Sequence, residues 1–229
     1  MSGRLAAVGE LAAGIAHEIN NPIAFVQSNL NQLVVHWEAA EKGMEPEAVQ
    51  EGWELLEESL EGVSRVAAIV KDVRGFAYDG HGERETADVN DLLAATLRVA
   101  QPQLRHHANV ECNYGRIPPL FSQAQELKQV FLNLLLNASH AIGDGGNIRI
   151  ATDYLDPNIV VTIEDDGCGM PPDVVERIFD PFFSTKKAGE GMGLGLSLSY
   201  QMVKNHGGEI RVESEADKGT CFRISLPTR

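Results

Sequence analysis

The chain of 229 residues carries 33 acidic against 19 basic side chains, a formal net charge of -14, with 43% hydrophobic residues. That surplus of negative charge argues against nucleic acid or an anionic membrane as a partner, since both demand clustered Lys and Arg. The hydrophobic fraction suffices for one large or two modest domains with real cores. Cys112, Cys168 and Cys221 are odd in number and far apart. They argue for a reduced, cytoplasmic protein without a disulfide framework or zinc site.

Residues 19–37 carry no formal charge, but Asn20, Asn21, Gln27, Ser28, Asn29, Asn31, Gln32 and Pro22 make them too polar for hydrocarbon. No membrane segment is expected in this chain. The start also lacks a basic region followed by an uninterrupted apolar core, so no signal peptide is expected. The first residues already follow an amphipathic pattern, as would a fragment whose upstream part has been removed.

Residues from about 4 to 42 read as one long helix. Val8, Ile15, Ile19, Pro22, Val26 and Leu33 share a stripe, and His17 points opposite it beside Ala13, Asn21 and Ala24. Glu18 supplies a neighbouring carboxylate and Asn21 an amide one turn on. Pro22 cannot donate to the Glu18 carbonyl, so a bend is expected there. A zinc-protease helix is excluded, because Asn21 stands where the second histidine ligand would be. Taken alone, His17 reads as a surface histidine before a kink.

Gly43-Met44-Glu45-Pro46 is a break, with Gly as a stop and Pro near the next start. Residues from about 47 to 77 resume helical spacing through Trp53, Leu56, Leu60, Val63, Ala67, Val70 and Val73. Two long helices joined by a short turn make an antiparallel hairpin. One hairpin cannot bury both sides of such stripes, so a homodimeric four-helix bundle is expected over a monomeric hairpin packed on the next domain.

Asp79-Gly80-His81-Gly82-Glu83 is polar and Gly-rich, which divides the chain into a hairpin domain at 1–78, a linker at 79–85 and a second domain at 86–229. In the second, Asn90–Ala100, Gln123–Ile142, Pro171–Phe179 and Leu194–His206 read as helices. Asn109–Tyr114, Asn147–Leu155 and Asn158–Glu164 read as strands, and Glu209–Glu215 and Thr220–Leu226 as a closing hairpin. This predicts a two-layer α/β sandwich.

Three motifs in that domain suggest chemistry. On the helix Gln123–Ile142, Glu126, Gln129, Asn133, Asn137 and His140 share a stripe within about 80°, opposite the apolar face. Asn is a poor interior helix former, so two Asn spaced by four suggest ligand contact, and their carboxamide oxygens are hard donors suited to Mg²⁺. Next, a strand runs into Asp165-Asp166-Gly167-Cys168-Gly169, a carboxylate at a strand end followed by backbone that lets a planar ligand come close. Finally, Gly191-Met192-Gly193-Leu194-Gly195-Leu196 precedes a helix and leaves N–H groups free at its positive end, with Lys186 as a candidate phosphate contact. Leu196 stands where a dinucleotide fingerprint needs its third glycine, and no phosphate-loop signature occurs anywhere. The glycines read as a lid over a nucleotide.

Together, in order and spacing, these segments resemble the bacterial sensor histidine kinases of two-component systems. His17-Glu18-Ile19-Asn20-Asn21-Pro22 resembles the phospho-acceptor box, and Asn133-Leu134-Leu135-Leu136-Asn137-Ala138 the asparagine box. Asp165-Asp166-Gly167-Cys168-Gly169 and the run from Gly191 to Leu196 resemble the two glycine boxes. Phe179-Asp180-Pro181-Phe182-Phe183 resembles the phenylalanine box. The resemblance implies a dimeric helical hairpin followed by the ATP-binding fold shared with Hsp90, gyrase and MutL proteins. It also implies an autokinase that uses ATP and Mg²⁺ and passes phosphate to the receiver domain of a response regulator, with a regulator phosphatase activity besides. A nucleotide-binding dimeric scaffold without transfer is the alternative.

By the same resemblance, His17 accepts the γ-phosphoryl group and Glu18 fixes its tautomer and receives its proton. Asn137 ligates Mg²⁺ with Asn133 in support, Asp165 accepts the adenine amino group, and Thr220 supports Asp165. Gly167 and Gly169 let the base approach, and Gly191, Gly193 and Gly195 let the lid close. Asn21 would orient a water for the phosphatase reaction.

Overall fold

In a computed structural model, residues 19–35, 46–77, 83–105, 108–143, 145–186 and 193–228 are described. They fall into two units, the first built on Met1–Asp79 and the second on Gly80–Ser184 with Gly193–Arg229. His17, Glu18, Gly191, the turn at 43–45 and most of the linker lie outside the described residues.

In the first unit, residues 19–35 (α1) are helical throughout, Pro22 included, and α2 spans Pro46–Ala77. The helices run antiparallel. Leu33 Cδ2 lies against Gly52, Asn29 bonds Glu58, and Val26 meets Gly62, so numbers rise along one helix as they fall along the other. Asn29 is 3% exposed and donates from Nδ2 to Glu58 Oε2 at 2.9 Å. A buried carboxamide with a single cross-helix partner fixes register, because any slip leaves it unpaired. A Cβ added at Gly62 would lie 2.5 Å from Val26 Cγ2, so glycine allows the close approach there.

The hairpin buries only part of its apolar surface. Leu60 is 66% exposed, and Val34, Val63, Trp53 and Val70 are exposed as well. Ile23, Val26, Leu30, Val63, Val66, Ala67 and Val70 line a groove between the two helices.

The second unit is a two-layer sandwich. Its sheet contains β2 (Ala108–Tyr114), β4 (Gly146–Leu155), β5 (Asn158–Asp165), β6 (Glu209–Glu215) and β7 (Gly219–Pro227), in the order β2-β4-β5-β7-β6. Only β2 and β4 pair in parallel. Three helices pack with the sheet, α3 (Val89–Leu104), α4 (Ala124–Ala141) and α6 (Gly195–Asn205), α4 touching both others. A small second sheet pairs β1 (Glu85–Ala87) with β3 (Leu120–Ser122).

Strand alternation builds the core. Across the sheet, Ile150, Ile163, Phe222 and Val212 form one row, and Thr152, Val161, Ile224 and Ile210 the next. Phe131, Leu127, Leu134 and Leu135 of α4 are fully buried, as is Leu93 of α3. Each such side chain contributes about 1.5–3 kcal/mol by leaving water. The opposite rows, such as Arg149, Glu164, Cys221 and Glu213, are exposed or half-buried.

Two expected helices change length. Only Pro172–Val175 (α5) of the expected Pro171–Phe179 helix is formed, and turns follow it. Phe179 instead leaves the helical path to pack on Tyr200, with ring centroids 5.4 Å apart. In the other direction α3 runs past Ala100 and through Pro102 to Leu104, which is buried. The lost amide of Pro102 affects only the last turn, where burial of Leu104 outweighs it. All three cysteines are free thiols. No helix among the described residues is long and apolar enough to cross a membrane.

Candidate functional site

At one end of the sheet the helix-facing rows turn from apolar to polar. The last row reads Ile148, Asp165, Thr220, Ser214, contributed by β4, β5, β7 and β6 in order. Asp165 and Thr220 are each 5% exposed. Strands that alternate cleanly for several residues therefore end in a buried carboxylate and two hydroxyls, where an apolar row would have been more stable. This is the chemical centre of the unit.

Asp165 Oδ1 accepts from the Gly167 N–H at 3.0 Å, and the Thr220 N–H also donates to the carboxylate. Burial pushes its pKa up to about 6 despite both amides, and the neighbouring Asp166 and Glu164 charges add to the rise. Asp166 behaves oppositely. Its oxygens accept from Asn147 N–H at 2.6 Å and Asn147 Nδ2 at 2.7 Å, which holds its pKa below the ordinary carboxylate value. The forked contact ties the loop after β5 to the start of β4.

The loop that follows is pressed between two neighbours. Cys168 N–H donates to the Ala141 carbonyl at 2.9 Å, and a Cβ on Gly167 would come within 2.5 Å of that carbonyl. On the other side, Gly169 has φ +60 and any side chain there would overlap the Glu215 carbonyl. The Asp217 N–H closes the contact by donating to the Cys168 carbonyl at 2.7 Å. These glycines are required by backbone meeting backbone, and the result is a bare, rigid shelf beside Asp165.

The polar stripe of α4 is divided in its use. Asn133 Nδ2 donates to the Gly195 carbonyl at 3.1 Å and to Ser199 Oγ at 3.3 Å, while its Oδ1 accepts from Gln129 Nε2 at 2.9 Å. It holds the start of α6. Asn137, one turn on and half-buried, makes no hydrogen bond among the described residues, so its carboxamide is available to a ligand. Glu126 meets the buried ring of His206 at 3.7 Å. That imidazole accepts from the Gln123 N–H and lies 2.7 Å from the Met202 carbonyl.

The glycine-rich segment enters α6 through Gly193, with φ +66, where a Cβ would press on the backbone of Phe182 and Phe183. Phe182 N–H donates to the Gly193 carbonyl at 3.1 Å. Arg177 stacks over Phe183 at 4.4 Å and completes this corner. Lys186 is exposed and belongs to Thr185–Met192, outside the second unit. Asn21 is exposed on α1 of the first unit.

The structure thus brings together Asp165, Gly167, Gly169 and Thr220, and separately Asn133 with Gly195. Ser214, Asn147 and Ser199 belong to these networks without having been singled out in the sequence. A serine in an alternating strand reads as ordinary solvent-side polarity, and only the strand register reveals its row. No cluster of His, Cys, Asp and Glu able to hold a metal alone occurs among the described residues. A divalent cation here would need ligand oxygens besides the Asn137 carboxamide, as Mg²⁺ on a nucleotide has.

A two-layer sandwich with a buried Asp at the end of a strand, backed by a glycine shelf, defines an ATPase-type nucleotide domain. Residues 122–229 match the family described as histidine kinase-, DNA gyrase B-, and HSP90-like ATPase. The chain as a whole is similar to sensor histidine kinases. It is 35% identical to sporulation kinase E of Bacillus subtilis over 233 residues, covering 100% of this chain and 30% of that protein. It is 34% identical to the signal transduction histidine-protein kinase AtoS of Escherichia coli, covering 98% of this chain and 35% of that protein. Among solved structures, histidine kinase ThkA in complex with response regulator protein TrrA superposes with a TM-score of 0.75 at 25% identity. That match covers 99% of this chain and 63% of the other. The chain spans about a third of the length of these two curated relatives, 30% and 35%.

Proposed function

We propose that this chain is the catalytic core of an ATP-dependent histidine autokinase that phosphorylates His17 and passes the phosphoryl group to an aspartate of a response regulator. The observation that carries the reading is the polar row of Asp165 and Thr220 beside the Gly167–Gly169 shelf. A buried carboxylate held by two amides is a fixed acceptor, suited to the adenine amino group. The bare shelf gives a planar base room to lie flat. Gly193 and Gly195 lead into the N-terminus of α6, whose free amides suit the phosphates, and Gly191 and Lys186 belong to the same segment.

Asn137 is the residue that would hold Mg²⁺, which neutralises phosphate charge when bound. Asn133 acts behind it by fixing the start of α6. Phosphoryl transfer asks mainly for alignment and charge neutralisation, so the protein need only present the γ-phosphate to a fixed imidazole. A His17 ring nitrogen then bonds to the γ-phosphorus as its bond to the bridging oxygen breaks and ADP leaves. Glu18 takes the proton from the other ring nitrogen.

The groove between α1 and α2 supports a homodimer. Its Ile23, Leu30, Val63 and Val70 side chains are apolar and exposed, and a second copy laid on them completes a four-helix bundle. The response regulator is carried over from ThkA, whose solved complex contains one. Incubation with γ-labelled ATP tests the whole reading. An acid-labile, base-stable label that disappears in His17→Ala, with nucleotide affinity retained, is expected. ATP binding without any label leaves a nucleotide-binding scaffold.

A further inference from the structure

The polar row has a third member to which the nucleotide reading gives no task. Ser214 stands across from Thr220, and its Oγ has three polar neighbours. It accepts from the Met170 N–H at 2.9 Å, reaches the Gly219 carbonyl at 3.0 Å, and lies 2.9 Å from Thr220 Oγ1. Serine has one proton to give. The Met170 amide can only donate and the Gly219 carbonyl can only accept. One arrangement satisfies all four groups together. Ser214 donates to Gly219, and Thr220 donates to Ser214. The Thr220 proton is then committed, and its oxygen offers only lone pairs to anything else that approaches.

We infer that Ser214 is a positioning residue that fixes the Thr220 hydroxyl as an acceptor toward the base, so that Asp165 and Thr220 together select a purine with an amino group at its 6-position. This rests on the nucleotide reading above. An amino edge, as in ATP, meets two acceptors. A 6-carbonyl held in the same pose, as GTP would present it, sets oxygen against oxygen in a buried place, and sites with fixed polar groups reject such mismatches strongly. Without Ser214 the Thr220 hydroxyl can rotate and donate, and the discrimination relaxes. Ser214 need touch no nucleotide to do this.

Calorimetric titration of the full chain with ATP and with GTP tests the inference, folding being checked by circular dichroism. Ser214→Ala is expected to lose about fivefold to tenfold in ATP affinity, the effect of one neutral hydrogen bond, and to narrow the preference for ATP over GTP. Ser214→Thr, which keeps a hydroxyl, should restore both. In a Thr220→Val background, Ser214→Ala should add less than about twofold, because the hydroxyl it acts through is gone. Should Ser214→Ala fail to fold, Ser214→Cys keeps the volume with a weak donor and carries the same comparison. An unchanged ATP-to-GTP ratio in a folded variant, or losses that add in the double variant, overturns the inference and leaves Ser214 a brace of the loop. If the unaltered chain binds neither nucleotide, the functional reading falls and this inference with it.

Discussion

The Asn133 side chain donates to the carbonyl of Gly195 across the gap between α4 and α6, at 3.1 Å, while Asn137 on the same stripe makes no such commitment. Two residues alike in type and spacing thus have different tasks, one holding protein and one free for a ligand. Asn133→Ala is expected to lower unfolding stability by about 1–2 kcal/mol by denaturant titration, since two acceptors and a donor lose a partner. Asn137→Ala should leave stability unchanged and remove the gain in nucleotide affinity that Mg²⁺ provides. Equal stability losses in both variants would contradict the division.

Asp165 places binding and stability in opposition. Because burial raises its pKa in the folded chain to about 6, the fold binds the proton more tightly than the unfolded chain does. Stability is therefore highest while the group is protonated, and falls as pH rises from about 4 through about 6. Asp165→Asn keeps an acceptor for the Gly167 and Thr220 amides without the buried charge. Its melting temperature without nucleotide should exceed that of the native chain at pH 7.5, and the gap should shrink toward pH 5. Its ATP affinity should fall by about 1.5–3 kcal/mol, the usual loss for a hydrogen bond to a charged group. A variant that melts lower at pH 7.5 would show that the carboxylate stabilises the empty fold.

The glycines of the two boxes are not alike. Gly169 and Gly193 have positive φ and would drive a Cβ into backbone, so alanine at either should cost several kcal/mol or prevent folding. Gly195 has ordinary helical backbone, and a Cβ there would meet the Asn133 side chain at ordinary contact distance, Nδ2 at 3.7 Å and Cγ at 3.8 Å. Gly195→Ala should fold with stability unchanged or raised by about 0.4–1 kcal/mol. Any loss of ATP affinity it shows then reports close approach of phosphate to that position. Thermal melting with a parallel nucleotide titration separates the two outcomes.

Asn21 is exposed on α1, and its side chain makes no hydrogen bond among the described residues. A carboxamide is a weak base and contributes little to activating an imidazole, but it can orient a water for in-line attack on an aspartyl phosphate. Asn21→Ala is expected to keep substantial autophosphorylation and lose most dephosphorylation of the cognate regulator. Parallel losses of both rates in one folded preparation would instead assign it to the helix.

Much of this was legible before any coordinates. The alternation of Ile148, Ile150, Ile159, Val161 and Ile163 gave β4 and β5, and the stripe from Leu127 to Ile142 gave α4, because long elements repeat their period several times. Glu85–Ala87 and Leu120–Ser122 are too short to show one. The helix expected through Phe179 ended early because that ring is held by Tyr200, a contact more than twenty positions away. In the site, Asp165 and the glycines declared themselves by type. Ser214 did not, since its meaning depends on which strand lies beside it.

The amide of Phe182 and the carbonyl of Gly193 close a ring in the backbone, with ten residues between them. Closing a loop costs free energy that grows only with the logarithm of its length, about 0.6 kcal/mol per doubling. Lengthening the stretch between these two anchors should therefore cost little in loop closure, whereas changes at the anchors or at Phe183 should cost more. The stretch is a place where new sequence can be tried at little risk to the phenylalanine corner.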